Sequence, residues 1–172
     1  MTTQSVNIPV LETERLILRE PRLSDLDAFL RFAASERVHF VGGRQADWQV
    51  LEKLAAHIGY WALRGYGVWT VETRTGEVAG RIGIVHHLDW SEPELGWTIF
   101  DAFEGQGLAY EGAIAARDHA TRHFGLGPLI SHIHPDNTRS RRLAERMGAV
   151  VEREITLRDQ PSLIYRHPKV AA

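Results

Sequence analysis

Glu104-Gly105-Gln106-Gly107-Leu108-Ala109 lies between a strand-like run, Glu94 to Phe100, and a helical apolar pattern from Tyr110 to His123. Glycines at 105 and 107 let the backbone take positive φ and approach a ligand closely. The first turn of the helix that follows leaves amide groups without intrahelical partners. A strand, a glycine turn and a helix start together make an anion cradle whose amides hold a pyrophosphate, but they also make an ordinary strand-to-helix turn. The choice between the two depends on the rest of the chain.

At 172 residues the chain has the length of one domain, expected to span 1–172 with an ordered core from about 11 to 167. An apolar fraction of 44% and a charged fraction of 24% are those of an ordinary globular protein. Twenty Lys plus Arg against 22 Asp plus Glu leave a formal net charge of −2, so no global positive field recruits nucleic acid or an anionic membrane. With no cysteine, disulfides, thiolate metal sites and a cysteine nucleophile are excluded. Met1 to Val10 is polar and no run reaches membrane-spanning length, so neither signal peptide nor anchor is expected and the cytoplasm is the default location.

Taken in order, Arg15 to Arg19 reads as a first strand closed by Pro21, and Ser24 as the cap of a short helix running to about Ala34. Phe40 to Ala46 reads as a loop broken by Gly42-Gly43. Trp48, Leu51, Leu54, Ala55, Ile58 and Trp61 recur at helical spacing, predicting a second helix that ends near Gly65. Val68 to Glu72 and Glu77 to Val85 make a hairpin, with Glu94 to Phe100 as the next strand. In the helix after the glycine turn, Leu108, Ile114 and Ala115 are expected to face the core. Leu129 to His134 follows as a strand reached by a helical crossover, so it should lie parallel to the strand before the turn, with the ligand where the two meet. Thr138 to Met147 reads as a basic amphipathic helix with Leu143, Ala144 and Met147 inward. Val150 to Leu157 and Leu163 to His167 then form a hairpin around Asp159-Gln160-Pro161.

Two glycine signatures fail on this stretch. A dinucleotide fingerprint needs glycine where Tyr110 stands, and a P-loop begun at Gly107 reaches Gly112 but continues Ala113-Ile114 in place of Lys and Ser or Thr. The third fits. Leu95-Gly96-Trp97 leading to Gly105-Gln106-Gly107-Leu108-Ala109, then Glu111, Asn137-Thr138-Arg139-Ser140 and Met147-Gly148, resembles the GCN5-related N-acetyltransferase (GNAT) family. The opening Glu14 to Arg19 resembles, within it, the ribosomal-protein N-terminal acetyltransferases, the RimJ/RimL-like branch.

That resemblance implies an α+β fold: a central mixed, mostly antiparallel sheet with a V-shaped split between the strands near 94–100 and 129–134, flanked by about four helices. It implies acetyl-CoA as co-substrate and no metal. Its pyrophosphate would meet the backbone amides of Gly105, Gln106, Gly107, Leu108, Ala109 and Tyr110, and Asn137 would hydrogen-bond the pantetheine arm besides capping its helix. Glu104 departs from the family pattern, where Arg or Gln is common, and a carboxylate beside a pyrophosphate is repulsive unless it points away. Ala144 stands where many relatives carry a tyrosine, leaving Ser140 as the group near the acetyl-CoA sulfur. Glu94 is the nearest general base, and as a residue type it fits a solvated strand position equally well.

The activity implied is acetyl transfer to a primary amine, a protein N-terminal α-amine or a small-molecule amine, by direct attack in a ternary complex. A catalytically weak acyl-CoA-binding module of the same fold is the alternative. The partners are acetyl-CoA and the amine, with monomer and homodimer both open. His119 and His123, one helical turn apart, and His132 and His134, on one strand face, are the only metal-like pairs, and no HExxH pattern supports them. His86 and His87 read as solvated loop residues, Arg139, Arg141, Arg142 and Arg146 as a solvated helix face, with Arg141 or Arg142 as the candidates for phosphate contact. Trp48, Tyr60 and Trp61 fit either core packing or the wall of an acceptor pocket.

Overall fold

β-Branched and aromatic residues alternating with polar ones build strands, and the computed structural model, which describes residues 6–171, pairs eight of them in one sheet in the order β1-β2-β3-β4-β5-β6-β8-β7. β1 (Leu11–Glu12), β2 (Leu16–Arg19), β3 (Val68–Thr73), β4 (Val78–Val85) and β5 (Glu94–Ile99) are successively antiparallel. β6 (Ile130–Ile133) joins β5 in parallel, as the helical crossover demands, and β7 (Val150–Leu157) and β8 (Gln160–Arg166) complete the far side. Residues 1–5 of the polar N-terminal stretch, and residue 172, lie outside the described chain.

The β5–β6 seam is the feature that makes a site. Its only backbone register pair is Glu94 with Ile130. The Ser131 hydroxyl donates to the Leu95 carbonyl at 2.6 Å just beyond it. Past that point the strands part, and the expected V opens toward the carboxyl ends of both.

Four α-helices cover the faces: α1 (Leu26–Ala33), α2 (Asp47–Arg64), α3 (Leu108–Phe124) and α4 (Thr138–Arg146). On one face α3 packs over Leu16, Leu18, Ile82 and Leu95. Gly112 permits the close approach, because a Cβ there would meet Ile82 Cδ1 at 2.6 Å. Ala144 of α4 clusters with Ile133, Ala149 and Tyr165, and Trp97 packs against both groups. On the other face α1 and α2 bury Phe29, Val50 and Leu54 with Phe100.

Several local expectations change. α2 buries Val50, Leu54, His57 and Trp61, while Trp48, Leu51 and Ile58 are exposed: the helical period holds and its phase does not, since bulky apolar residues on both stripes disguise a buried histidine. α3 buries Leu108, Gly112, Ala113, Ala116 and Ala120, because close packing on the sheet selects its small residues, while Ile114 packs partly buried against the same core and Ala115 is only half-buried. Ser24 caps nothing; it sits in a 3₁₀ turn, Leu23–Asp25, whose Asp25 is buried against Arg19. Glu36–Val41 is a 3₁₀ segment that takes in Phe40, so the irregular stretch starts later than Phe40. The last hairpin turns on Arg158 and Asp159 alone, both at positive φ, which places Gln160 and Pro161 inside β8.

Candidate active site

The glycine turn sits at the mouth of the V. Gly107, at φ 78°, is the residue before α3, and the first bond of the helix runs from the Glu111 amide to the Gly107 carbonyl. The amides of Leu108, Ala109 and Tyr110 therefore precede any intrahelical acceptor. Gly105, Gln106 and Gly107 donate no backbone hydrogen bond among the described residues. Arg15 sets the orientation of the turn: Nη1 donates to the Gln106 carbonyl at 2.7 Å while Nε is paired with Glu111 at 2.7 Å. Holding that carbonyl toward Arg15 points the Gly107 N–H the opposite way across the same peptide plane. Glu104 turns its carboxylate aside to Arg37 of the 3₁₀ segment and Arg139 of α4.

Together these elements line a cavity of about 1130 Å³, bounded by β5 from Trp97 to Ile99, the glycine turn, the start of α4 and the 3₁₀ segment. Arg139, Arg142 and Arg146 edge it, and the Arg146 guanidinium lies 4.3 Å above the Tyr110 ring, a cation–π contact at the cradle wall. Deep in the V, the Trp97 indole donates to Ser140 Oγ at 3.3 Å, joining β5 to α4. Ser140 accepts from Trp97, so its own hydroxyl proton is available to a ligand. Asn137 Oδ1 accepts from the Ser140 amide at 3.2 Å as the helix cap, which leaves the Asn137 amide nitrogen as a donor. Ala144 is fully buried in the cluster against which Trp97 packs.

Glu94 stands at the closed end of the V, outside the cavity lining. Its side chain is 13% exposed, and it is paired with His132 Nδ1 and accepts from the His132 amide at 3.1 Å. Burial raises its carboxyl above the ordinary value, and the His132 contacts only partly offset that. A solvated strand carboxylate it is not.

Residues 15–150 match the model of the acetyltransferase (GNAT) domain. The chain belongs to the GNAT acetyltransferase family. A crystal structure of an acetyltransferase from Agrobacterium tumefaciens str. C58 is 34% identical with a TM-score of 0.87, covering 98% of this chain and 99% of that one. RimL, described as a ribosomal L7/L12 alpha-N-protein acetyltransferase and solved in complex with coenzyme A, has a TM-score of 0.76 over 91% of this chain and 96% of its own; at 16% identity it shows the shared fold. The protein YkkB of Bacillus subtilis (strain 168) is 33% identical over 107 residues, 59% of this chain and 62% of its own, so under two thirds of that relative is spanned.

Within this GNAT fold, Gly105 to Tyr110, Asn137 and Ser140 come together around one cavity, and Glu94 lies apart at its closed end. Trp48, Tyr60 and Trp61 line none of it: Trp61 is buried with its indole donating to the Val68 carbonyl at 3.0 Å, Tyr60 bonds His87 Nδ1 at 3.1 Å, and Trp48 is 62% exposed. His87 is thus a bonded, half-buried group rather than a solvated one, with its pKa lowered by burial. Arg141 is turned to the Tyr165 hydroxyl and the Pro135 carbonyl, while Arg139, Arg142 and Arg146 are the α4 cations at the cavity. Among the described residues no group of three or more metal-ligating side chains assembles, and His119 packs on Phe124 and Trp69. Sequence reasoning missed Arg15, Arg37 and Trp97, whose roles depend on partners 43 or more residues away. No helix among the described residues is long and apolar enough to cross a membrane.

Proposed function

We propose that this protein transfers the acetyl group of acetyl-CoA to a primary amine by direct attack in a ternary complex, acting as one acetyltransferase domain in the cytoplasm. The observation that carries the reading is the row of unpaired amides from Gly105 to Tyr110 at the mouth of a V whose depth ends at the Trp97–Ser140 hydrogen bond. A pyrophosphate suits the amides and the positive end of α3, and the Asn137 amide suits the pantetheine arm. The thioester then lies near Ser140.

The amine nitrogen attacks the thioester carbonyl carbon, the C–S bond breaks, and the sulfur leaves with the electron pair. A hydrogen bond from Ser140 stabilises the thiolate; an ordinary thiol, with a pKa of about 8.5, is a tolerable leaving group. The attacking nitrogen sheds its proton to Glu94 through water. A protein or small-molecule α-amine, with a pKa of about 8, is already roughly a tenth neutral near pH 7, so positioning supplies most of the acceleration. Calorimetric titration with acetyl-CoA tests the reading, and absence of binding at low salt overturns it. Ala144, which offers no phenol to the leaving sulfur, favours one rival, an acyl-CoA-binding module, which would bind without releasing thiol across an amine panel.

A further inference from the structure

The buried face of α2 carries two basic groups, and β4 a third. His57, 6% exposed, accepts at Nε2 from Arg81 Nη1 at 3.0 Å, since a guanidinium only donates. The imidazole proton therefore sits on Nδ1, which is buried without a hydrogen-bond partner. Lys53 Nζ, one helical turn before His57, reaches only the Val41 carbonyl, at 3.5 Å. Burial and the neighbouring Arg81 push Lys53 down to about 8, and burial pushes Arg81 down to about 10; among the described residues no carboxylate opposes either. At neutral pH both are still charged. The sheet elsewhere shows how this chain settles a buried cation: Arg19 is paired with both Asp25 and Glu72.

The trio lies behind the cavity wall rather than in its lining. Arg81 is the cross-strand partner of Thr98, so the two share a sheet face, and Thr98 and Val41 both line the cavity. That face belongs to α1 and α2, opposite the one on which α3 and Trp97 pack. By strand alternation Glu94, Gly96 and Thr98 all project onto it. A Cβ at Gly96 would meet only Glu94 Oε1, at 3.6 Å, so the face is unobstructed immediately around Gly96. The four residue steps from Glu94 to Thr98 cover about 13 Å, which the length of the Arg81 side chain shortens.

We propose that Lys53, His57 and Arg81 receive an anionic group, a carboxylate or a phosphate, of the amine acceptor. The acceptor is then a small molecule with an amine at one end and an anion at the other. It lies along the β5 face of Gly96 and Thr98, its amine toward the thioester and its anion against the trio, where the orphaned Nδ1–H gains an acceptor and two half-buried charges gain a counter-ion. The anion's burial beneath α2 selects a slender molecule. The inference rests on the acetyltransferase reading and names its substrate class.

The test uses ω-aminocarboxylates, ω-aminoalkyl phosphates and n-alkylamines of matched length with the full chain and acetyl-CoA. Anionic members are expected to exceed the neutral amines at least tenfold in kcat/KM, and the better anion identifies which group is taken. Lys53→Met and Arg81→Met should each collapse that ratio toward one, with Lys53→Arg restoring it. The ligand-free Lys53→Met protein should melt higher than wild type, an outcome a purely structural lysine would reverse. Equal turnover of charged and neutral members, a ratio unchanged in Lys53→Met, or a lower ligand-free Tm overturns the inference while leaving acetyl transfer intact. If no amine is turned over, the same series is titrated into the coenzyme A complex, and no binding by its anionic members overturns it. Failure to bind acetyl-CoA instead sinks the acetyltransferase reading.

Discussion

Glu104, the residue that opens the glycine turn, is ion-paired with Arg139 in the first turn of α4, across the mouth of the cleft. Its other oxygen takes Arg37. The carboxylate thereby holds two guanidinium groups at the place where a polyphosphate would need them, and an incoming pyrophosphate competes with it for both. Glu104→Gln should bind acetyl-CoA more tightly, by roughly three- to tenfold for about 1 kcal/mol of released competition, with a steeper salt dependence as the freed arginines meet phosphate. Calorimetry at two ionic strengths measures both; weaker binding would mean that Glu104 instead shapes the turn.

Gly107 has φ 78°, a left-handed conformation that favours glycine and precedes the free amides of α3. Valine there meets the left-handed penalty of about 1–2 kcal/mol, while its Cβ would reach only ordinary contact, 3.5 Å, with Arg15 Nη2. Gly107→Val is expected to lose more than tenfold in acetyl-CoA affinity with the far-ultraviolet circular dichroism of the wild type. Unchanged affinity would dissociate the turn from the cofactor.

Asp25 tests the frame rather than the site. Burial alone would raise its carboxyl, but hydrogen bonds from Arg19, the Arg22 amide and Thr70 outweigh that and hold it low. A depressed folded pKa contributes stability above the unfolded value, near 3.9, and that contribution fades as pH falls through the folded value. Asp25→Asn leaves Arg19 buried with less compensation and should cost about 3 kcal/mol at pH 7. Urea unfolding at pH 7 and pH 3 should show the gap narrowing in acid.

Ser140 accepts from Trp97, which frees its hydroxyl proton for the leaving sulfur. Ser140→Ala should lower kcat by at least tenfold with acetyl-CoA affinity nearly constant. Trp97→Phe should do less, since it removes the orientation and keeps the hydroxyl. Wild-type turnover in Ser140→Ala would remove the serine from the reaction.

How much of this is legible in the sequence follows range along the chain. The order of strands, the parallel β6 and the glycine turn rest on local periodicity and one crossover rule, and they stand in the sequence. The phase of α2 does not, because Trp48, Leu51 and Ile58 mimic a core stripe and His57 looks polar. Nor do the partners of Glu104, Arg15 and Trp97, which lie 35 to 96 residues away and become neighbours only once the sheet has formed. The unneutralised Lys53, His57 and Arg81 are invisible to composition for the same reason, since a net charge near zero says nothing of where the carboxylates are.

Glu94 gives the last prediction its pH axis. Burial raises its carboxyl, so the group takes up its proton at a higher pH than an ordinary glutamate. If it accepts the amine's proton it must be ionised, and the acid limb of kcat/KM should then fall above about 4.5, the ordinary glutamate value. Glu94→Gln should lower kcat/KM by tenfold or more and abolish that limb, leaving only the rise that follows deprotonation of the amine. Stability should run the other way: a raised folded pKa contributes stability below the unfolded value and loses it as pH rises through the folded one, so Glu94→Gln should be relatively most stable in mild alkali. A retained limb with unchanged rate would assign the proton to water alone and leave the Glu94–His132 pair the structural task of closing the base of the V.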